Sequence, residues 1–119
     1  MARSINKPVG LKTPGGPYFA PPEGNMPADV MIIQNLLNHV PVDEGGLGED
    51  AKLLPDGSCG NRTHSAIRKF QKNLVKRGII SETNGQVAPN GKTFAELAKY
   101  DVQGELKRVV ISHIGGHKH

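Results

Sequence analysis

The chain has 119 residues, a formal net charge of +4 and 36% hydrophobic residues. This length supports one domain with a modest core, and the single cysteine excludes an intramolecular disulfide. Because Trp is absent and aromatic residues make up only 4% of the chain, stacking of sugar rings is not the expected mode of binding. A peptide or an anionic group is the better candidate ligand. No apolar run is long enough to span a bilayer, so we expect no membrane insertion.

Residues 1–25 are rich in Pro and Gly and are predicted to contain no regular element of any length. The first residues are basic, but no apolar run follows them, so no classical signal peptide is expected. Tyr18 and Phe19 could dock on a partner protein. We favour instead that they fold back and cover the small core.

The first helix is predicted to begin at Pro27, which suits a first turn, with Asn25 or Met26 near its cap, and to end before Pro41. Asp29 would complement the positive end of this helix. Apolar residues at three- and four-residue steps form its inward stripe, namely Val30, Ile33, Leu37 and Val40.

Residues 42–54 carry four acids, Asp43, Glu44, Glu49 and Asp50. Their spacing does not match a helix-loop-helix calcium loop, so a dedicated cation site is not expected. We predict a solvated acidic loop that could pair with the basic helix that follows.

The stretch from residue 55 to residue 71 reads P-D-G-S-C-G-N-R-T-H-S-A-I-R-K-F-Q. Gly57 supplies the positive φ of a tight turn, and Asn61 or Thr63 is the expected helix cap. The helix should run from about Arg62 to Arg77. Gly78 fits the residue that ends it. Its inward face comprises Ala66, Ile67, Phe70 and Leu74.

Two features of this helix are open to more than one interpretation. Its exposed cations Arg68, Lys72 and Lys76 lie on one face, which is either an ordinary solvated surface or an attraction for a polyanion. Cys59 is either a reactive thiol near a helix start or, as we favour, a small and partly buried residue.

A weaker copy of the turn and helix follows at Asn84-Gly85, with a third helix predicted from about Lys92 to Lys99. Asn90 or Gly91 would cap that helix. Its inward residues are Phe94, Leu97 and Ala98. The copy suggests a small internal duplication, and Ile79, Ile80 and Val87 are candidates for a small hairpin around the turn.

The pattern D-G-x-x-G-x-x-T-x-x-A-I-x-x-F-Q, together with V-x-x-I-Q-x-x-L at residues 30–37, resembles the peptidoglycan-binding domain family. The resemblance spans roughly Pro27 to Leu97. It implies a mainly α, three-helix fold at residues 26–100, with an N-terminal arm at 1–25 and a C-terminal extension at 101–119. The chain departs from the family pattern at Cys59, where an aromatic residue is usual, and in a longer connection at residues 41–54 and a stretched second turn.

The resemblance also implies a shallow groove near the turns and helix starts, where free N–H groups favour anions. The candidate ligand-binding residues are Asp56, Arg62, Thr63, Asn90 and Thr93. For Asp56 and both threonines, holding the turn or capping the helix is an equally good interpretation. Arg62 is the sharpest candidate because a cation is unfavourable at a helix start.

The sequence contains no H-E-x-x-H, G-x-S-x-G or P-loop motif, so we expect no enzymatic activity and no cofactor. The closely spaced His113, His117 and His119 lack the fixed geometry of a metal site. The expected function is non-catalytic binding of peptidoglycan, anchoring a partner or a larger assembly in the cell envelope, which the chain would reach without a classical signal peptide.

Two alternatives remain at this point. The scaffold could be an adaptor or a structural component of a secretion or phage-type particle, with a protein partner bound through residues 1–25 or 101–119. Binding of nucleic acid through the basic helix is the third interpretation. The scarcity of aromatic residues argues against stacking on a single strand.

Overall fold

Residues 4–101 are described by the computed structural model, and three α-helices and a two-stranded antiparallel sheet organise them. The predicted mainly helical, three-helix domain is confirmed at this level. The elements are β1 (Val9–Gly10), α1 (Pro27–Asn38), α2 (Asn61–Lys76), β2 (Gln86–Val87) and α3 (Lys92–Leu97). Short 3₁₀ turns occupy Val42–Glu44, Glu49–Ala51 and Ala98–Tyr100. The closely spaced His113, His117 and His119 lie outside the described residues.

The core lies where α1, α2 and α3 meet, and it uses the stripes that the sequence predicts. Ile33, Ile67, Phe70, Leu74 and Leu97 are completely buried. Full burial of one such side chain stabilises the fold by about 1.5–3 kcal/mol. Within residues 4–101, no helix combines the length and the apolar character that crossing a bilayer requires.

The end of α2 follows the glycine pattern that the sequence predicts. Gly78 has φ 77°, and its N–H donates to the Val75 carbonyl at 2.9 Å. The next N–H, of Ile79, donates to the Leu74 carbonyl, also at 2.9 Å. This pair of bonds is a Schellman motif, which satisfies carbonyls that the end of a helix leaves free.

The N-terminal segment folds back onto the helices. Ile5 and Val9 belong to the core cluster, and Leu11 is also buried. Val9 pairs with Val87, and Gly10 pairs with Gln86. The expectation that residues 1–25 contain no regular element is therefore wrong at β1. The predicted hairpin around the Asn84-Gly85 turn is also wrong, because the strand that pairs with Val87 comes from the N-terminal segment.

Two polar side chains at the start of α1 fix this segment. The Asn25 amide accepts from the Gly10 N–H at 2.7 Å and donates to the Gly10 carbonyl at 3.1 Å, as a neighbouring strand would. The Asp29 carboxylate, only 3% exposed, accepts from the backbone N–H groups of Asn6 and Lys7 at 3.1 and 3.0 Å. Asp29 therefore organises the backbone of residues 6 and 7 in addition to occupying the first turn of α1.

Tyr18 folds back onto α2, but neither Tyr18 nor Phe19 is among the residues that pack against the core. The Tyr18 ring lies at 85° to the His64 ring on α2, with a centroid separation of 5.7 Å. Its hydroxyl donates to Asn61 Oδ1 at 3.2 Å. The acidic loop makes no ion pair with α2 among the described residues. Its Glu44 carboxylate instead accepts from the hydroxyl of Tyr100, whose ring packs edge-on against Phe70.

Candidate functional site

The first predicted turn is held from behind by one buried glutamine of α1. Gln34 is 1% exposed, and its Nε2 faces Asp56 Oδ1, the Ser58 carbonyl and Thr63 Oγ1 at 3.0–3.1 Å. Its Oε1 accepts from the Gly57 N–H at 2.9 Å. One side chain thus connects α1, the Asp-Gly turn and the first turn of α2.

The second turn is held in the same way by a buried glutamine of α2. Gln71 is 1% exposed, and its Nε2 faces Asn84 Oδ1, the Gln86 carbonyl and Thr93 Oγ1 at 3.0–3.1 Å. Its Oε1 accepts from the Gly85 N–H at 2.8 Å. The two networks match atom for atom, so the turn and the helix that follows it occur twice with the same internal support.

These networks define what the predicted threonines and Asp56 do in the fold. Thr63 and Thr93 are 3% and 6% exposed, and each hydroxyl is bonded to a glutamine. Their side chains hold the turns, which is the alternative that the sequence left open. The predicted cap of α2 by Asn61 or Thr63 is wrong, because Gly60 occupies that position. Gly91, one of the two residues predicted for α3, does occupy its cap position, and no side chain caps either helix.

A cavity of about 240 Å³ opens in front of the first network. It is lined by Gln34, Leu53, Leu54, Asp56, Ser58, Gly60, Asn61, Arg62 and Thr63. We call it the first cavity. Three of the predicted site residues, Asp56, Arg62 and Thr63, therefore lie together. No side chain caps α2, so none bonds to the free N–H groups of its first turn. The residues that carry the first of these N–H groups, Asn61, Arg62 and Thr63, line this cavity.

Arg62 is the exposed cation of the first cavity. It lies in the first turn of α2, where positive charge is unfavourable. Within residues 4–101, the ion pairs join Lys12 to Glu23 and Lys99 to Glu96, so no carboxylate there lies within ion-pair distance of Arg62. A shallow apolar cavity adjoins the first one and shares Leu53, Asn61 and Arg62 with it. Arg62 thus borders two depressions.

Asp56 supplies an exposed carboxylate to the same cavity. The N–H of Ser58 and the Gln34 amide donate to this carboxylate, and these bonds lower the pKa of Asp56 below its usual value. This carboxyl is therefore ionised at neutral pH. The first cavity consequently presents one positive and one negative side chain, together with the Ser58 and Asn61 polar groups.

A second cavity, of about 310 Å³, lies at the equivalent place in the second repeat. Its lining includes Gln71, Glu82, Asn84 and Lys92 as well as Thr93. Lys92 precedes Thr93 as Arg62 precedes Thr63. Asn90 is exposed and does not line this cavity, so the structure does not bring it together with Thr93 as a site.

Cys59 lies beside the first turn and is partly buried against the core. Burial raises the pKa of its thiol to about 11, although the Gly10 backbone bond partly opposes this shift. The shift is opposite in direction to that of reactive cysteines. The interpretation of Cys59 as a small packing residue is thus supported by its surroundings. Among residues 4–101, no three or more His, Cys, Asp or Glu side chains come together as a potential metal site.

The chain matches no protein-family model, no curated protein and no solved structure. The candidate site therefore has to be judged from its geometry. Sequence reasoning missed Gln34 and Gln71 as the organising residues, and it missed Ser58, Leu54 and Lys92 as cavity residues. One signal was available: each glutamine lies within the apolar stripe of its helix, where an unpaired amide would be costly.

Proposed function

We propose that the protein is a non-catalytic module that binds bacterial cell-wall peptidoglycan, with Arg62 in the first cavity holding a carboxylate of the stem peptide. The observation that carries the proposal is the exposed guanidinium at the rim of this cavity, unpaired within residues 4–101. Arginine suits this role because its planar fork can bind a carboxylate through two hydrogen bonds.

The shape of the first cavity favours a small portion of a larger ligand. Its volume of about 240 Å³ is below the roughly 300–1,000 Å³ that is common for sites that enclose a whole small molecule. Leu54, 78% exposed, lies at the rim and offers apolar surface next to the charges. One end group of a stem peptide, with an adjoining methylene or methyl group, matches these dimensions and this chemistry.

The two glutamine networks support a binding role rather than a catalytic one. They fix each turn rigidly, and they leave Gln34, Thr63 and Asp56 Oδ1 engaged in structural bonds. Such a site can bind and orient a group. A module of this kind would attach a partner or a larger assembly to the wall in the cell envelope.

The experiment is a pull-down of the full chain with purified insoluble peptidoglycan at low and high salt. Arg62→Ala is the test variant, and Arg68→Ala is the matched control, because Arg68 is an exposed arginine of the same helix that does not line the first cavity. We expect retention at high salt that Arg62→Ala lowers about three- to tenfold, as loss of a charge-assisted bond should.

Two results would contradict the proposal. Equal loss in Arg62→Ala and Arg68→Ala, with retention that disappears at high salt, would reduce the interaction to general attraction by the basic face of α2. No retention of the wild-type chain would favour the adaptor function.

A further inference from the structure

We infer that the first cavity recognises a zwitterionic amino-acid end group, with Asp56 binding its ammonium and Arg62 its carboxylate. The inference deepens the proposed function and rests on it, since it specifies which part of a stem peptide enters the cavity. Under this inference the ligand must also carry a positive charge beside its carboxylate, which binding of a carboxylate alone would not require.

The duplication within the chain provides the main argument. Asp56 and Asn84 occupy equivalent positions and make the same bonds: Oδ1 of each faces the glutamine Nε2 and accepts from the backbone N–H two residues later. An amide oxygen is thus sufficient to hold such a turn. The negative charge of Asp56 is therefore not required by the turn that it supports.

The surplus charge is available to a ligand. Asp56 is exposed, so its carboxylate retains acceptor capacity beyond the bonds from Gln34 and Ser58. It lines the same cavity as Arg62. A ligand with carboxylates alone would meet repulsion from Asp56, and a diamine would meet repulsion from Arg62. An ammonium and a carboxylate on one carbon satisfy both side chains.

The size of the first cavity agrees with this ligand. A volume of about 240 Å³ accommodates several water-sized groups, which is the scale of an amino-acid head group with its first methylenes. The exposed Leu54 at the rim is placed to contact those methylenes. The rest of the ligand would remain outside the cavity.

The test uses three small molecules that share the same central carbon chain. Diaminopimelic acid carries ammonium and carboxylate at each end, pimelic acid lacks the ammonium groups, and cadaverine lacks the carboxylates. Each is titrated into the isotope-labelled full chain while the NMR signals of residues 54–63 are followed. We expect diaminopimelic acid to bind at least about threefold more tightly than either of the other two.

Two variants make the test specific. Asp56→Asn retains the turn, as Asn84 shows, and should remove the preference for diaminopimelic acid over pimelic acid. Lys92→Ala, in the second cavity, should leave that preference unchanged. Equal affinity for diaminopimelic acid and pimelic acid, a preference that survives Asp56→Asn, or no saturable binding of any of the three would each overturn the inference.

Failure of the inference can be distinguished from failure of the proposed function. If wall retention depends on Arg62 while the three small molecules bind alike, the proposed function stands and the zwitterion preference is wrong. If the preference depends on Asp56 but insoluble peptidoglycan is not retained, the cavity chemistry is correct and the wall is not its source of ligand.

Discussion

The amide of Gln34 offers a quantitative test of the network that holds the first cavity. Gln34→Glu keeps the shape of the side chain and replaces its donor nitrogen by oxygen. The Asp56 carboxylate and the Ser58 carbonyl, which now accept from Nε2, can only accept. A protonated carboxyl could donate to one of them, so one bond of about 1 kcal/mol is lost in the neutral form.

The larger cost arises from ionisation. The introduced carboxyl would be almost completely buried beside the ionised Asp56, so both burial and the like charge should raise its pKa. A glutamate in the unfolded chain has a pKa of about 4.3. For each pH unit above this value at which the carboxyl stays protonated in the folded protein, the free energy of unfolding falls by about 1.36 kcal/mol. Between pH 4.3 and pH 7 this amounts to about 3.7 kcal/mol.

The expected loss of unfolding free energy is therefore about 5 kcal/mol at pH 7 and about 1–2 kcal/mol near pH 4.5. The sign follows from the raised pKa: the folded state holds the proton, so the variant regains stability as pH falls. The loss at pH 7 is comparable with the whole stability of many domains, about 5–15 kcal/mol. Gln71→Glu should lose about 1–2 kcal/mol less at pH 7, because the Asn84 amide can turn to donate.

Urea unfolding followed by far-ultraviolet circular dichroism measures these differences against the wild-type chain at each pH. Asn90→Asp is the matched control, since it makes the same amide-to-acid change at an exposed site and should alter stability by at most about 0.5 kcal/mol. A loss below about 1 kcal/mol for Gln34→Glu at pH 7, or a loss that does not shrink on acidification, would refute the reasoning.

Three further predictions concern the surroundings of the site. Ile5→Ala, at a residue 4% exposed, should cost about 2–4 kcal/mol in urea unfolding, and a loss below about 1 kcal/mol would mean that the N-terminal segment does not complete the core. Gly78→Ala and Gly85→Ala both place a side chain at positive φ, at a cost of about 1–2 kcal/mol. A Cβ at Gly85 would also lie 2.5 Å from His64 Nε2, whereas a Cβ at Gly78 would meet open space. Gly85→Ala should therefore lower the free energy of unfolding by at least about 1 kcal/mol more than Gly78→Ala. Equal losses in the two variants would contradict the close packing of Gly85 against His64. The Cys59 thiol, with its pKa raised to about 11, should be alkylated about 100-fold more slowly at pH 8 than free cysteine, and alkylation at the free rate would show that it is not buried.

The helices could be predicted closely because their signals are local. The spacing of the apolar residues predicts a second helix from about Arg62 to Arg77. In the structure, α2 spans Asn61–Lys76. A positive-φ glycine at its end was also predictable, since few other residues adopt that conformation at low cost. Both signals lie within a few residues of the feature that they predict.

The parts that could not be predicted depend on contacts between distant residues. Gln34 meets Thr63 across 29 residues, and its role becomes visible only when α1 and the turn lie side by side. The pairing of Val9 with Val87 is a two-residue ladder, too short to have any period in the sequence. A Pro- and Gly-rich segment therefore appeared structureless although it contributes Ile5 and Val9 to the core.

We propose above that Arg62 in the first cavity binds a carboxylate of the cell wall. The most direct measurement is the apparent affinity of the wild-type chain, Arg62→Ala and Arg68→Ala for insoluble peptidoglycan in co-sedimentation. The salt concentration is about 0.5 M, where the screening length is about 4–5 Å and general attraction between charges is weak. The proposed function predicts saturable binding that weakens about three- to tenfold in Arg62→Ala and stays within about twofold in Arg68→Ala. Binding that is unchanged in Arg62→Ala, or absent in the wild-type chain, would contradict it.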